Sequence, residues 1–251
     1  MRLDGQSVYL TGAAGGIGSL LAQKLRASGA RVTGIDRADC SECDESIAAD
    51  LGSAESLGAL TKELAGRRVD ILCNLAGIQY FGPIERQDPA NIWINYIVNL
   101  VAPAILIRSV LPQMHARGSG QIVNIGSVMG AVNYPHFATY SSAKAGLRGL
   151  SEGLRRELGN TGIAVTYIAP RAVRTAFNDD AVNRFLKMAK MQADDPDIVA
   201  ARIAEAIIER RKEVTIGTAE RVYTRLNGLF PRLIDTGLAG ATAKARSLFQ
   251  D

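Results

Sequence analysis

The chain has 251 residues, 47% of them hydrophobic and 22% charged, enough for one sizeable core in a single domain of ordinary α/β size. Its net charge of +4 comes from scattered basic residues with no Lys/Arg-rich run, which argues against a nucleic-acid partner. Cys40 and Cys43 form one CxxC, but no second pair follows among the remaining Cys73, His115 and His136 to complete a zinc centre of four ligands, so no metal is expected, and an odd cysteine count with no signal peptide before Val8 fits a reducing, cytoplasmic setting.

In chain order, Ser7–Thr11 reads as a first strand, followed by a glycine-rich turn and a helix to about Ser28 that stops at Gly29. Arg31–Asp36 is a second strand. The stretch 36–50 is short and polar. It holds Cys40 and Cys43, a CxxC with no second pair, which reads as a loop that carries two thiols. Ser53 can cap a helix to about Ala65, and 69–74 is a third strand. Asp88 and Pro89 open a helix that runs toward His115, with Pro103 and Pro112 expected to bend or divide it. Its most apolar part, 92–111, is interrupted by Asn95, Asn99 and Arg108, so it reads as a buried helix and not a membrane span. A strand at 121–125, the Ser127 loop, the Tyr140 helix and a strand at Ile163–Ala169 follow. Pro196 opens a helix to about Arg211, and 214–217 is a last short strand. Strands alternating with helices of this length imply right-handed βαβ units and a single-domain, doubly wound parallel sheet covered on both faces. Beyond Gly217, the residues Val222, Leu226, Leu229, Phe230, Leu233 and Ile234 fall near helical spacing, with Arg221, Arg225 and Arg232 between them and Pro231 interrupting. A basic amphipathic helix can lie on a membrane surface. An apolar helical face more commonly buries against protein, so packing within the chain or between subunits is favoured over membrane-surface contact through 219–251.

Two stretches carry chemistry. Residues 11–18 read TGAAGGIG, after a strand and before a helix, the context a phosphate-binding turn requires. Gly12 can take the tight turn, Gly16 admits a pyrophosphate close to the backbone, and Gly18 lets the helix pack on the sheet; the helix N-terminus then offers free N–H groups to phosphate. The glycine spacing is not GxGxxG, and no GxxxxGK[ST] is present, which disfavours a nucleoside triphosphatase. Asp36 ends the second strand eighteen residues after Gly18, near the position of a carboxylate that accepts from the adenosine ribose hydroxyls and repels a 2′-phosphate. NAD is therefore favoured over NADP, with Arg37 as the contrary feature. The second stretch holds Ser127, then Tyr140 thirteen residues on, then Lys144 four residues after that. On a helix Tyr140 and Lys144 share a face. An ammonium there is expected to lower the phenol's pKa and fit it for proton exchange with an alcohol oxygen, to which Ser127 can add a hydrogen bond.

With TGxxxGxG at 11–18, NLAG at 74–77, and Ser127, Tyr140 and Lys144 in YSSAK, the chain resembles the short-chain dehydrogenase/reductase family over roughly residues 3–175. The resemblance implies a Rossmann sheet of about seven strands and a dinucleotide cofactor, NAD with NADP as the alternative, set on Gly12, Gly15, Gly16, Ile17 and Gly18 and reaching Asp36 and Arg37. It implies that Asp50 and Leu51 lie against the adenine ring, and that Asn74, Ala76 and Gly77 steady the sheet beside the cofactor. Pro170, Val173 and Thr175 would close over the nicotinamide. Tyr140 would be the acid/base, Ser127 would orient the substrate oxygen, and Lys144 would hold the nicotinamide ribose. Asn99 would support a water near the lysine, with Asn95 as the alternative.

Three departures stand out: 36–50 is too short for the usual helix, Arg171 replaces a glycine beside the nicotinamide, and no glycine-rich C-terminal ending is present. The implied activity is an NAD(P)-dependent alcohol dehydrogenase or carbonyl reductase. A non-catalytic dinucleotide-binding sensor or assembly protein is the alternative, and epimerisation or dehydration on the same fold is a third. Met129, Val132, Tyr134, Phe137, Phe177, Phe185 and Met188 are expected around an apolar alcohol or ketone. Arg171 and Arg174 leave a carboxylate substrate open. Residues 1–217 would form the dinucleotide-binding domain, with 176–195 as a mobile substrate lid and 218–251 as a helical extension, in a homodimer or homotetramer.

Overall fold

The computed structural model describes residues 2–250. In chain order the elements are β1 (Ser7–Thr11), α1 (Gly16–Ala27), β2 (Arg31–Asp36), β3 (Glu45–Ala48), α2 (Ala54–Ala65), β4 (Ile71–Asn74), α3 (Pro89–Tyr96), α4 (Ala102–Arg117) and β5 (Gly120–Ile125). Then come α5 (Ala138–Glu157), β6 (Ile163–Ala169), α6 (Asp180–Met188), α7 (Pro196–Ile208), β7 (Glu213–Thr215), α8 (Thr218–Leu229) and α9 (Pro231–Ser247). The seven strands form one sheet in the order β3-β2-β1-β4-β5-β6-β7, and every pairing is parallel.

Both faces are covered, so the central strands read as nearly unbroken apolar runs. Val8 and Leu10 of β1 and Val123 and Ile125 of β5 pack beneath α1 and α7. Tyr9, Leu72 and Ile122 turn the other way and meet Leu57, Leu60 and Leu64 of α2 and Leu106 and Val110 of α4. The strand order reverses direction of winding between β1 and β4, and the carboxyl ends of those two strands open on one crevice, the place where such sheets bind ligands.

Local chemistry explains most boundaries. Ser53 Oγ accepts the Ser56 N–H at 3.3 Å at the start of α2, and Asp88 Oδ1 accepts the Ala90 N–H at 2.7 Å at the start of α3. The 89–117 run is apolar and long enough to cross a bilayer by composition alone. Here it lies against the sheet, with Asn99, Ala102, Leu106, Val110 and Met114 buried. It is divided at a π-turn, Ile97–Val101, just before Pro103, which has no N–H to give the Asn99 carbonyl.

The stretch 36–50 holds no helix, as its length implies, but it does hold β3, an edge strand where a loop is expected from the sequence. Its four residues ESIA are alternately exposed, too polar and too short to show a period. Pro231 separates α8 from α9, and of the six apolar positions only Ile234 is buried; Leu229 is 72% and Leu233 61% exposed. The side chains that do pack are Ala241, Ala245, Leu248 and Phe249 of the last turns, against Phe81 and α6.

Candidate active site

The glycine turn is built by close approach. Gly12 has φ +72°, and a Cβ there would meet the Ala76 backbone at 2.9 Å. A Cβ on Gly18 would lie 2.0 Å from the Gly12 carbonyl oxygen, and one on Gly16 would lie 2.9 Å from Thr175 Cγ2. The turn is thus pressed between the 75–77 segment and the closing loop. Gly15 caps α1 without a side-chain acceptor, and the first turn of α1 holds no acidic residue, so its leading N–H groups and positive dipole end are open to an anion. These features fit a dinucleotide's pyrophosphate. Thr11 Oγ1 accepts the N–H groups of Leu75 and Ala76, both at 3.1 Å, and so fixes the segment that reaches Gly77.

Asp36 stands at the end of β2. Its Oδ2 accepts the Ala14 N–H at 3.1 Å, and its Oδ1 accepts those of Arg37 at 2.7 Å and Ala38 at 3.4 Å. The carboxylate is held at the cavity wall beside exposed Arg37. Asp50, Leu51, Ile35, Ile94 and Val98 line the same end. Asn74 closes β4 by donating to Asn124 Oδ1 at 2.8 Å; Asn124 in turn donates to Ser151 Oγ at 2.9 Å, so this chain ties β4, β5 and α5 together.

Ser127, Tyr140 and Lys144 line the same cavity, as do Gly77, Pro170 and Thr175. Ser127 Oγ accepts the Met129 N–H at 3.1 Å. Lys144 Nζ lies 5.9 Å from the Tyr140 ring centroid and donates to the Ile125 carbonyl at 3.0 Å. Burial, the main cause, lifts the Tyr140 phenol to about 12, and a hydrogen bond with the Ser127 side chain offsets part of the rise. Burial also brings Lys144 down to about 8. The expectation that Lys144 lowers the phenol's pKa is therefore not met by the protein's own groups. Desolvation of the phenol is the larger effect, with the ammonium 5.9 Å from the ring centroid.

Asn99 and Asn95, the two alternatives from the sequence, are hydrogen-bonded to each other. Asn99 Nδ2 donates to the Ile78 carbonyl at 2.8 Å, the Asn95 carbonyl at 2.9 Å and Asn95 Oδ1 at 3.2 Å. Its Oδ1 is buried with no protein partner. A Cβ on Gly77 would come within 2.8 Å of that oxygen and 3.4 Å of Lys144 Nζ, so glycine there keeps the lysine and the asparagine adjacent.

Arg171 does not point at the dinucleotide seat. Its Nε and Nη2 donate to Asp194 at 3.0 and 2.6 Å, and its Nη1 donates to Glu220 at 3.2 Å. It ties the loop after β6 to the end of the 176–195 segment and to α8. That segment crosses the cavity as α6 and is fastened at its start, where Gln79 Nε2 donates to the Phe177 carbonyl at 2.8 Å. Of the expected substrate-facing residues, Met129, Val132, Tyr134, Phe137 and Phe177 line the cavity. Phe185 is instead fully buried against Phe81 and Phe137, and Met188 is turned to solvent. Val182, Leu186, Met191 and Tyr223 line it in their place. Gln79, Glu220 and Tyr223 carried no sequence signal, because each reaches the cavity only through tertiary closure. The whole cavity measures about 980 Å³, room for a dinucleotide at one end and an apolar molecule at the other.

The family model for short chain dehydrogenase matches residues 6–184. The ketoacyl reductase HetN of Nostoc sp. is 32% identical over 230 residues, 85% of this chain and 79% of that protein. Among solved structures, a short-chain dehydrogenase from Sphingobium yanoikuyae in complex with NADPH superposes with a TM-score of 0.76 at 26% identity, covering 92% of this chain and 95% of that one. A 4-hydroxyisoleucine dehydrogenase complexed with NADH superposes with a TM-score of 0.75 at 26% identity, covering 84% and 96%.

Proposed function

Because the chain belongs to the short chain dehydrogenase family, and so is an NAD(P)-dependent oxidoreductase, we propose that it interconverts an apolar alcohol and its ketone, with Tyr140 as acid/base and NAD as the preferred cofactor. The observation that carries this reading is that Ser127, Tyr140 and Lys144 line one cavity together with the glycine turn, Asp36 and the apolar side chains of Met129, Val132, Phe137 and Leu186. The bound nicotinamide supplies or removes the hydride. In the reductive direction Tyr140 gives its proton to the carbonyl oxygen, and Ser127 orients and polarises that oxygen. Lys144 would hold the nicotinamide ribose, and Asn99, whose side-chain oxygen is buried without a protein partner, would support a water that links Lys144 to solvent. In oxidation the roles reverse, and Tyr140 accepts the proton.

The NAD preference is supported by the Asp36 carboxylate, oriented by three backbone N–H groups where a 2′-phosphate would lie. Replacing it as Asp36→Ala is expected to lower the NAD-to-NADP preference in kcat/KM at least tenfold; an unchanged ratio counts against the assignment. The apolar substrate is supported by Met129, Val132, Phe137, Leu186 and Met191 around the far end and by a relative that is a ketoacyl reductase. Residues 218–251 belong to the same folding unit in this reading, and exposed Trp93, Leu229 and Leu233 suit contact between copies of the chain. Nicotinamide absorbance followed across a panel of alcohols and ketones with both cofactors tests the activity. Dinucleotide binding without turnover on any of them would establish a binding protein in place of an enzyme.

A further inference from the structure

The CxxC lies in the turn that hangs from Asp36. The Cys43 N–H donates to the Cys40 carbonyl at 2.9 Å, which makes 40–43 a β-turn and holds the two Cα atoms within about 7 Å, close to the span of a disulfide. Both sulfurs converge on Gly34 of β2: a Cβ there would stand 2.7 Å from Cys43 Sγ and 2.8 Å from Cys40 Sγ. Glycine at 34 is what lets two thiols share one niche against the sheet. Cys40 is buried and Cys43 partly exposed, so a small oxidant reaches one sulfur with the other waiting behind it.

The turn is fastened to the dinucleotide seat. Asp36 accepts the N–H groups of Arg37 and Ala38, and two residues later the Cys40 N–H donates to Ser46 Oγ on β3 at 3.2 Å. Bringing the sulfurs to about 2.05 Å draws the turn over Gly34 and carries the 37–39 backbone with it. The Asp36 carboxylate then loses donors that now aim it at the cavity.

We propose that Cys40 and Cys43 are a reversible redox pair whose disulfide weakens dinucleotide binding at the adenosine end. Hydrogen peroxide converts the Cys43 thiol to a sulfenic acid and releases one water. Cys40 Sγ attacks that sulfur, the S–S bond forms, and the sulfenic oxygen leaves as a second water. In sum, two thiols and one peroxide give one disulfide and two waters. A dithiol reductant reverses the step by two exchanges. Asp36 and Asp39 face Cys40, and Asp44 and Arg26 face Cys43; burial is the larger influence and holds both thiols above their ordinary range, Cys43 at about 12. Closure is accordingly slow at neutral pH and accelerates as pH rises and thiolate forms.

The inference rests on the reading of Gly12–Gly18 and Asp36 as the dinucleotide seat, and its test has two arms that fail separately. In the first, reduced protein is treated with peroxide, quenched, unfolded in guanidinium chloride and alkylated, and its mass is measured. The expected result is one alkylated cysteine where reduced protein shows three, reversed by dithiothreitol and absent in Cys43→Ser. Three alkylated cysteines after peroxide overturn the proposal. In the second arm NAD affinity is measured calorimetrically on the reduced and oxidised forms of the same unmutated chain. A Kd at least threefold weaker on oxidation, restored by reductant, is expected; any smaller change overturns the coupling. No binding by either form overturns the seat and the coupling together, while the mass arm still reports the bridge by itself.

Discussion

Lys144 and Tyr140 sit one helical turn apart, and burial moves each toward its neutral form, to about 8 and about 12. At neutral pH the protein alone therefore presents a protonated phenol, a proton donor suited to ketone reduction. Alcohol oxidation needs the phenol ionised and is expected to quicken as pH rises, as a pH–rate profile of kcat/KM in both directions will show. The lysine has a second consequence. Its folded pKa lies below its unfolded value, so the unfolded chain binds the proton more tightly between pH 8 and 10.5. Stability linked to this group is present above 10.5 and is lost as pH falls through about 8; a shift of this size is on the order of 3 kcal/mol. Lys144→Met is thus expected to abolish turnover and yet raise Tm at pH 7, with the gain fading above pH 10.5 in thermal melts. An unaltered or lower Tm at pH 7 would contradict the cost assigned to its burial.

The Ser127, Tyr140 and Lys144 set was legible because an i,i+4 pair and a strand-end serine are local facts. Asn95 was half legible, as a rival to Asn99, since sequence spacing does not show that one amide carries the other. Gln79 and Glu220 were not legible at all: they meet Phe177 and Arg171 across 98 and 49 residues.

Among the elements, the 176–195 crossing is the one whose position depends on side-chain ties. Arg171 forms a two-pronged pair with Asp194 and a single bond to Glu220, with all three side chains largely shielded from water. Charge-assisted hydrogen bonds of this kind contribute ~1–3 kcal/mol each. The replacement Arg171→Gln is expected to raise KM for the ketone several-fold, leave kcat and the dinucleotide Kd nearly unchanged, and speed proteolysis near α6. A fall in kcat with constant KM would mean that Arg171 acts on the reaction and not on the crossing. The bulk of Arg171 could be read from the sequence, but its direction could not, because Asp194 and Glu220 lie in segments with no local signal to bring them there. The same limit hid β3. A four-residue polar edge strand pairs with β2 through backbone groups, which leave no mark on side-chain pattern. At the C-terminus the break at Pro231 could be read, but not which side chains are buried: α8 buries none, and α9 buries Ile234 and Ala245.

For the molecule as a whole, the parallel sheet and its winding were readable from the alternation of strands and helices, since βαβ handedness leaves few other topologies. The extension after β7 was not. Its last turns bury Ala245 and pack Leu248 and Phe249 by Phe81 and His136, and α8 supplies Glu220 and Tyr223 to the cavity. A chain ending at Gly217 is expected to keep dinucleotide binding, lose ketone turnover, and melt several degrees lower, as calorimetry and kinetics will report. Full turnover by that shortened chain would show that α8 and α9 are no part of the substrate end.

The claim at the centre is that hydride transfer in this cavity is coupled to a proton held on Tyr140. It is tested most directly by Tyr140→Phe, which removes one oxygen from a buried ring, assayed with the best ketone from the panel. The expected result is a dinucleotide Kd within about twofold of the unmutated protein and a kcat lower by ~10²–10⁴, the share a positioned acid supplies. Near-full turnover with the cofactor still bound would contradict it.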